Sequence, residues 1–261
     1  MASERTVRSG GAELFVRTDG EKGPWVVLLN SLAADLSMWE PQMPGLAARF
    51  RVLRFDTRGH GRSSAPPPPY AVDDLVDDLF AVLDACGARP AHAVGLSLGG
   101  IVAAAAVLRD QGAFASLAIC DSRVAMPPEF RQGIDDRNRL VREKGMEAVV
   151  EPFIERWFAR PAAAAGATAD VRRMIRATSI AGFTGCAEAL KGAQVLDRLG
   201  EIRLPALFLV GNADAAVPCT VMVDQQVRVP GSRYVEIPGA GHLSNLEQPA
   251  VFNAALLAFL G

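Results

Sequence analysis

The chain has 261 residues, a formal net charge of −2 at pH 7, and a hydrophobic fraction of 50%. This apolar content excludes a disordered chain, and the near-neutral charge offers no basic field for nucleic acid or an acidic membrane. The four cysteines form no CxxC pair, so neither a zinc knuckle nor a dithiol motif is predicted.

Strand and helix patterns alternate along most of the chain. Short apolar runs predict strands, and longer amphipathic patterns between them predict helices. The predicted strands cover residues 12–17, 25–29, 51–55, 91–96, 117–120, 205–210 and 234–237. The predicted helices cover residues 39–48, 72–86, 98–110, 217–227 and 249–260. This alternation favours an α/β fold with a doubly wound, mostly parallel sheet.

Two segments bear on localisation. Residues 1–11 are polar and lack the apolar stretch of a signal peptide. Residues 90–108 contain no Asp, Glu, Lys or Arg and have the length of a membrane span. Their proline, histidine, serine and three glycines are more typical of a buried strand, a turn and a helix. We therefore expect a cytoplasmic protein that does not span a membrane.

Residues 123–195 break the alternation, because they contain helical patterns and no strand. From Met146 to Phe158, apolar residues recur with the spacing of one helix face, and Pro152 predicts a kink or a restart. We interpret residues 123–195 as a helical cap inserted into a core formed by residues 1–122 and 196–261. Such a cap would cover the carboxyl edge of the sheet, where open α/β sheets bind their ligands.

The chemistry-bearing motif is the G-x-S-x-G of residues 95–99, which follows a predicted strand and opens a predicted helix. In this strand–turn–helix context the motif is typical of a nucleophile elbow, whose glycines permit a sharp turn. The alternative is a glycine-rich turn with a bystander serine. A phosphate loop is excluded because no Gly-Lys-Ser/Thr follows. Ser97 is therefore the predicted nucleophile.

A serine nucleophile needs a base, and the base needs a carboxylate to orient it. Among the three histidines, His242 follows the last predicted strand and is favoured over His60 and His92. Asp214 and Asp121 each follow a strand and are both candidates for the acid. Asp214 is favoured because it fits the order Ser, Asp, His along the chain.

An oxyanion hole needs the backbone N–H after the nucleophile and a second N–H from the loop after an early strand. The first donor is predicted to be Leu98. The second lies in Asn30-Ser31-Leu32-Ala33, and we assign it to Leu32.

These residues resemble the α/β-hydrolase superfamily over nearly the whole chain, and residues 56–63 are similar to its D-x-R-G-H-G-x-S loop. Within the superfamily, residues 30–32, 38–39, 156–158 and 242–247 are similar to 3-oxoadipate enol-lactonases. The resemblance implies hydrolysis of an enol-lactone to 3-oxoadipate in aromatic catabolism, the β-ketoadipate pathway. It also implies that neither a metal nor an organic cofactor is used.

The predicted cap carries 12 basic and 9 acidic residues, a net charge of +3, against −5 for the rest of the chain. A basic cap would suit a small lactone or ester that bears a carboxylate. Arg137 and Arg156 are the candidate partners of that carboxylate, since an Arg fork matches its two oxygens. Trp157 is a candidate substrate contact, and its alternative role is in the core of the cap.

The sequence thus predicts a cofactor-free serine hydrolase that opens an enol-lactone. Another serine chemistry on the same residues is the first alternative, either a carboxylesterase or a hydrolase of carbon–carbon bonds in ring-cleavage products. Haloalkane dehalogenases and epoxide hydrolases are disfavoured, because they need Asp where Ser97 stands. A non-catalytic ligand-binding protein on the same fold is the alternative from another class.

Overall fold

The computed structural model describes residues 3–261, so the first two residues of the predicted core segment lie outside the described part. The described chain forms one eight-stranded sheet in the order β1-β2-β4-β3-β5-β6-β7-β8. The strands are β1 (Ser3–Ser9), β2 (Ala12–Asp19), β3 (Trp25–Leu29), β4 (Arg51–Phe55), β5 (Ala91–Leu96), β6 (Phe114–Cys120), β7 (Ala206–Gly211) and β8 (Arg233–Ile237). Strands β3 to β8 pair in parallel, while β1 and β2 are antiparallel to their neighbours.

The helices lie between and beyond these strands. They are α1 (Met43–Ala47), α2 (Val72–Cys86), α3 (Leu98–Arg109), α4 (Pro128–Lys144), α5 (Val150–Trp157), α6 (Ala165–Ala177), α7 (Ile180–Gly192), α8 (Cys219–Gln226), α9 (Ser244–Glu247) and α10 (Pro249–Leu260). Short 3₁₀ helices cover Leu36–Gln42, Gln111–Ala113, Met146–Val149 and Leu196–Glu201. None of the helices within residues 3–261 combines the length and apolar character needed to cross a membrane.

The core lies on both faces of the central strands. Every residue of β7 is buried, and so are four of the five residues of β3. A parallel strand covered by helices on both sides needs a continuous apolar run, which is the pattern found in these two strands. Helix α3 packs against β3, β5 and β6, and all but three of its twelve residues are buried. The predicted doubly wound α/β sheet is confirmed.

The structure departs from the sequence analysis at strand β1 and in the segment of residues 39–48. Strand β1 has no counterpart in the sequence analysis, because it is an edge strand whose single buried residue, Val7, leaves no apolar pattern. The helix predicted over residues 39–48 is a 3₁₀ helix followed by the five-residue α1. Pro41 and Pro44 lie in this segment and supply no N–H for a continuous α-helix.

Four helices, α4 to α7, occupy the connection between β6 and β7. The chain enters and leaves this region through an isolated antiparallel bridge between Ala125 and Gln194. The apolar face expected from Met146 to Phe158 is buried as predicted, and the helix restarts at Val150 so that Pro152 lies in its first turn. The division into a core and a cap at residues 123 and 195 stays a prediction.

Candidate active site

Ser97 lies in the turn between β5 and α3, at the carboxyl edge of the sheet. Its φ of 55° places a non-glycine residue in the left-handed region, a strained conformation that tends to occur at functional sites. The flanking glycines are required by space. A Cβ on Gly95 would lie 2.1 Å from the carbonyl oxygen of Gly99, and a Cβ on Gly99 would lie 2.2 Å from that of Leu29. The predicted strand–turn–helix elbow is therefore present.

The structure brings Ser97, His242 and Asp214 together. His242 Nε2 lies 2.9 Å from Ser97 Oγ, and His242 Nδ1 lies 2.8 Å from Asp214 Oδ2. The other oxygen of Asp214 accepts the N–H groups of Ala216 and Val217, which fixes the carboxylate. An ionised Asp214 makes Nδ1 the protonated nitrogen, so Nε2 is free to accept the Ser97 hydroxyl proton.

His242 follows β8 on a loop that is held from two sides. The Gly241 N–H donates to Glu247 Oε2 at 2.7 Å, and the same carboxylate accepts the N–H groups of Ala159 and Arg160, which follow α5. The Leu243 N–H donates to the Trp157 carbonyl. The histidine loop is thus attached to the helices between β6 and β7, which fixes the imidazole relative to Ser97.

The other two histidines have different partners. His60 is buried, its Nδ1–H donates to the Arg58 carbonyl, and its Nε2 accepts the Ala33 N–H, both at 3.0 Å. Burial lowers the pKa of His60 to about 4. His92 bonds to Ser116 on the neighbouring strand. Neither ring is bonded to Ser97, so the geometry favours His242 as the base.

Asp121 makes no hydrogen bond to His242. Its side chain is fully buried, Oδ1 accepts the Gly211 N–H at 2.7 Å, and Oδ2 lies 2.5 Å from the Ser244 hydroxyl. Burial, and then the nearby Asp214 carboxylate, raises the pKa of Asp121 well above its usual value. Asp121 therefore links the loops that carry Asp214 and His242 without reaching the imidazole.

Of the two predicted oxyanion donors, Leu98 follows Ser97 directly in the chain and Leu32 lies in the loop after β3. Leu98 is the first residue of α3, where a helix leaves its N–H groups without intrahelical acceptors. In the loop after β3, the backbone N–H groups of residue 31 and of residues 33–36 each have an acceptor. The Leu32 N–H has no acceptor in the described part of the chain, and Leu32 lines the same cavity as Ser97.

Ser97 and His242 open into a cavity of about 240 Å³ under α4 and α5. The predicted substrate contacts Arg137, Arg156 and Trp157 all line it. Most of the remaining wall is apolar and consists of Leu32, Ile101, Met126, Phe130, Ile134, Phe153, Leu190, Ala216 and Val217.

The guanidinium of Arg137 is the most unusual group in this wall. Its Nε and Nη2 are buried without a hydrogen-bond partner in residues 3–261, and it lies over the rings of Phe153 and Phe183, 5.2 and 5.7 Å from their centres. Burial, together with the charge of Arg156, lowers the pKa of Arg137 to about 10. The cavity wall therefore contains a guanidinium that forms no ion pair with a carboxylate in residues 3–261.

Sequence reasoning missed a third arginine, Arg123, which also lines the cavity and lies over the Phe130 ring. Burial lowers its pKa, as does the neighbouring Arg156. A signal was present, because Arg123 follows the carboxyl end of β6 by only three residues. Against these three arginines, Glu129 is the one acidic residue among the described lining residues. Within residues 3–261, no group of three or more His, Cys, Asp or Glu side chains is arranged to hold a metal ion.

The family profile described as alpha/beta hydrolase fold matches residues 24–249. The chain belongs to this alpha/beta hydrolase family.

Within the family, the chain is similar to proteins of two named kinds and to a solved structure. The chain is 31% identical to "3-oxoadipate enol-lactonase 2" of Acinetobacter baylyi, over 91% of this chain and 88% of that protein. It is 30% identical to a "putative carbamate hydrolase RutD" of Caulobacter segnis, over 91% and 92% of the two chains. The crystal structure of the enol-lactonase from Burkholderia xenovorans LB400 superposes with a TM-score of 0.93 at 34% identity, covering 98% of this chain and 99% of that one.

Proposed function

We propose that this hydrolase opens 3-oxoadipate enol-lactone to 3-oxoadipate, with Ser97, His242 and Asp214 as its catalytic triad. The observation that carries the proposal is the hydrogen-bonded chain from Ser97 through His242 to Asp214, in which Ser97 and His242 line a small cavity together with Arg137, whose guanidinium has buried N–H groups without a partner in residues 3–261. The relatives named enol-lactonase support this choice of substrate.

In the first half of the reaction, His242 Nε2 takes the Ser97 hydroxyl proton as Oγ attacks the lactone carbonyl. The carbonyl oxygen becomes an oxyanion, which the N–H groups of Leu98 and Leu32 stabilise. When the ring C–O bond breaks, the proton on His242 passes to the leaving enol oxygen. The ring-opened product remains attached to Ser97 as an acyl ester, and its enol becomes a ketone.

In the second half, His242 removes a proton from water, and the resulting hydroxide adds to the acyl carbonyl. Collapse of this intermediate breaks the bond to Ser97 Oγ, which regains the proton from His242. The net reaction consumes one water and yields an acid with a new carboxylate. Asp214 stays ionised throughout and stabilises the positive imidazolium that forms in each half.

The cavity supports a small, anionic substrate. Its volume of about 240 Å³ is below the range of roughly 300–1,000 Å³ usual for drug-sized ligands, which favours a small substrate over one with a long acyl chain. Burying an unpaired guanidinium costs free energy unless a ligand supplies the missing acceptors. We assign Arg137 to binding the free carboxylate of the substrate. Arg156, on the exposed side of the cavity, would attract the same carboxylate as the substrate enters, and Trp157 would form the apolar wall beside the lactone ring.

Replacing Arg137 by methionine is expected to raise KM for the enol-lactone by about 10- to 100-fold, because a charge-assisted hydrogen bond contributes roughly 1.5–3 kcal/mol. The kcat value should change little, since this carboxylate carries the same charge throughout the reaction. Thermal stability should not fall, because the substitution removes a buried, unpaired charge. Steady-state kinetics and a thermal melt measure the three quantities.

The matched control is Arg139→Met, on the same helix, where the arginine is exposed and paired with Asp136. This variant should behave as the wild type. A neutral ester such as p-nitrophenyl acetate should show no dependence on Arg137. Equal increases in KM for the lactone and the neutral ester would remove the carboxylate-binding role.

The relatives named carbamate hydrolase give a second candidate substrate class. We expect the purified protein to have a higher kcat/KM for 3-oxoadipate enol-lactone than for p-nitrophenyl acetate or for a carbamate, since a buried cation in the cavity favours an anionic acyl group. The three substrates are compared in parallel at one pH. Preference for the simple ester would indicate a carboxylesterase, and preference for the carbamate would indicate the second candidate.

A further inference from the structure

Residues 31–34 form a tight turn that requires a left-handed residue at its third position. The Ala34 N–H donates to the Ser31 carbonyl, and Ala33 has a φ of 60°, whereas φ of Leu32 is not positive. This combination defines a type II turn, which normally places glycine or asparagine where Ala33 stands. Because alanine does not favour this conformation by itself, the turn needs support from its surroundings.

His60 supplies that support. Its Nε2 accepts the Ala33 N–H at 3.0 Å, and its Nδ1–H is fixed by the Arg58 carbonyl. Since burial lowers the pKa of His60 to about 4, the ring is neutral near pH 7 and keeps the Nε2 lone pair. The central peptide of a type II turn is flipped relative to that of a type I turn. The hydrogen bond to Ala33 therefore selects between the two turns.

His60 is itself held firmly. The adjacent Gly59 carbonyl accepts both the N–H and the hydroxyl of Ser179, at the start of α7. The backbones of Gly59 and Gly182 approach so closely that a Cβ on Gly59 would lie 2.1 Å from the Cα of Gly182. The imidazole is therefore held in place, and it cannot move with residues 31–34 if their turn changes conformation.

Leu32 precedes Ala33, so the bond from the Ala33 N–H to His60 holds the Leu32–Ala33 peptide and thereby restrains Leu32 with its own N–H. Its neighbours in the loop all donate to protein acceptors, and Leu32 lies in the cavity wall with Ser97. We propose that His60 is a positioning residue for the oxyanion hole, which acts through Ala33 to hold the Leu32 N–H toward the carbonyl that Ser97 attacks. This inference rests on the proposed hydrolysis at Ser97.

Two variants of His60 separate the hydrogen bond from the bulk of the ring. His60→Leu removes the acceptor, whereas the amide oxygen of His60→Gln reaches the position of Nε2. Loss of one oxyanion donor lowers kcat by roughly 10²–10³-fold, so a misplaced donor should cost His60→Leu about 10- to 100-fold in kcat with KM within about 3-fold. His60→Gln should stay within about 5-fold of the wild type.

A small alkylboronic acid gives a second readout, because it forms a tetrahedral adduct with the serine and probes the oxyanion hole directly. His60→Leu should weaken inhibition by the boronic acid about 10-fold or more, while the affinity for 3-oxoadipate, a planar carboxylate product, is unchanged. Loss of structure alone would lower the melting temperature and affect both ligands. The matched control is His92→Leu, which removes a half-buried histidine bonded to Ser116 outside the cavity. This variant should leave kcat, KM and the affinities for the boronic acid and for 3-oxoadipate unchanged.

Equal losses in the Leu and Gln variants, or a loss that appears in KM, would overturn the positioning role. The kinetics are run with both the enol-lactone and p-nitrophenyl acetate. If the wild type hydrolyses only the ester, the proposed substrate is wrong, yet the comparison of His60 variants remains valid on the ester. If the variants match the wild type on every substrate that it hydrolyses, the role of His60 is wrong whatever the substrate.

Discussion

Replacing Ser97 by alanine is expected to lower kcat for the enol-lactone by at least about four decades, because the members of a triad act as a unit. Without Oγ there is no acyl intermediate, and His242 loses the group that its Nε2 contacts at 2.9 Å. The remaining oxyanion donors and binding groups can support only direct attack by water, for which the site has no second nucleophile.

The fold should survive this substitution, since the hydroxyl of Ser97 contributes one half-buried hydrogen bond and alanine adds no atom to the crowded turn. A thermal melt should place the variant within a few degrees of the wild type. A fluorophosphonate probe should label the wild type and a Ser232→Ala control, in which the serine lies in the turn before β8 and outside the cavity, but not Ser97→Ala. Unchanged hydrolysis by Ser97→Ala would contradict the covalent mechanism.

The main features of this site could be predicted because parallel strands place their carboxyl ends along one edge. Ser97 follows β5, Asp214 follows β7 and His242 follows β8, so three positions far apart in the chain had to converge. The strands themselves were recognisable because central parallel strands are apolar on both faces. Fold and candidate triad thus depended on local patterns that the sequence displays directly.

Other features depend on packing that a single sequence does not display. Whether Arg137 forms an ion pair depends on which helices pack against it. Its neighbour in the sequence, Asp136, is acidic but faces solvent and pairs with Arg139 instead. The left-handed conformation of Ala33 gives no signal because alanine is not a turn residue. The edge strand β1 is mostly exposed, so its sequence shows no alternation of apolar and polar residues. In each case the missing information is a tertiary contact.

The choice of Asp214 or Asp121 as the acid could be predicted only in part from the sequence. Both residues follow strands, and only their order along the chain separates them. The structure distinguishes them by the partners of each oxygen. Both oxygens of Asp121 are engaged by Gly211 and Ser244, whereas Asp214 has one oxygen engaged by backbone N–H groups and the other directed at His242. Isosteric asparagine variants test this difference.

Asp214→Asn is expected to lower kcat by about 10⁴-fold, through the tautomer of His242. The N–H groups of Ala216 and Val217 require an acceptor at Oδ1, so the amide oxygen must stay there and the NH₂ group must face His242 Nδ1. A donor at that position forces Nδ1 to become the acceptor and moves the proton to Nε2. An Nε2–H cannot accept the Ser97 proton, so the base is lost although every heavy atom keeps its place.

Asp121→Asn should stay within about 10-fold of the wild type. Burial and then Asp214 raise the pKa of Asp121, and its two oxygens accept from the Gly211 N–H and the Ser244 hydroxyl. In Asp121→Asn the amide oxygen keeps the bond from Gly211, and the NH₂ group replaces the second bond by donating to the Ser244 oxygen, since a hydroxyl can accept as well as donate. Kinetics of both variants, with the imidazole N–H resonance of His242 observed by NMR, compare the two carboxyls directly. The Nδ1–H signal should disappear in Asp214→Asn and persist in Asp121→Asn, and a larger loss of activity at residue 121 would transfer the acid role to Asp121.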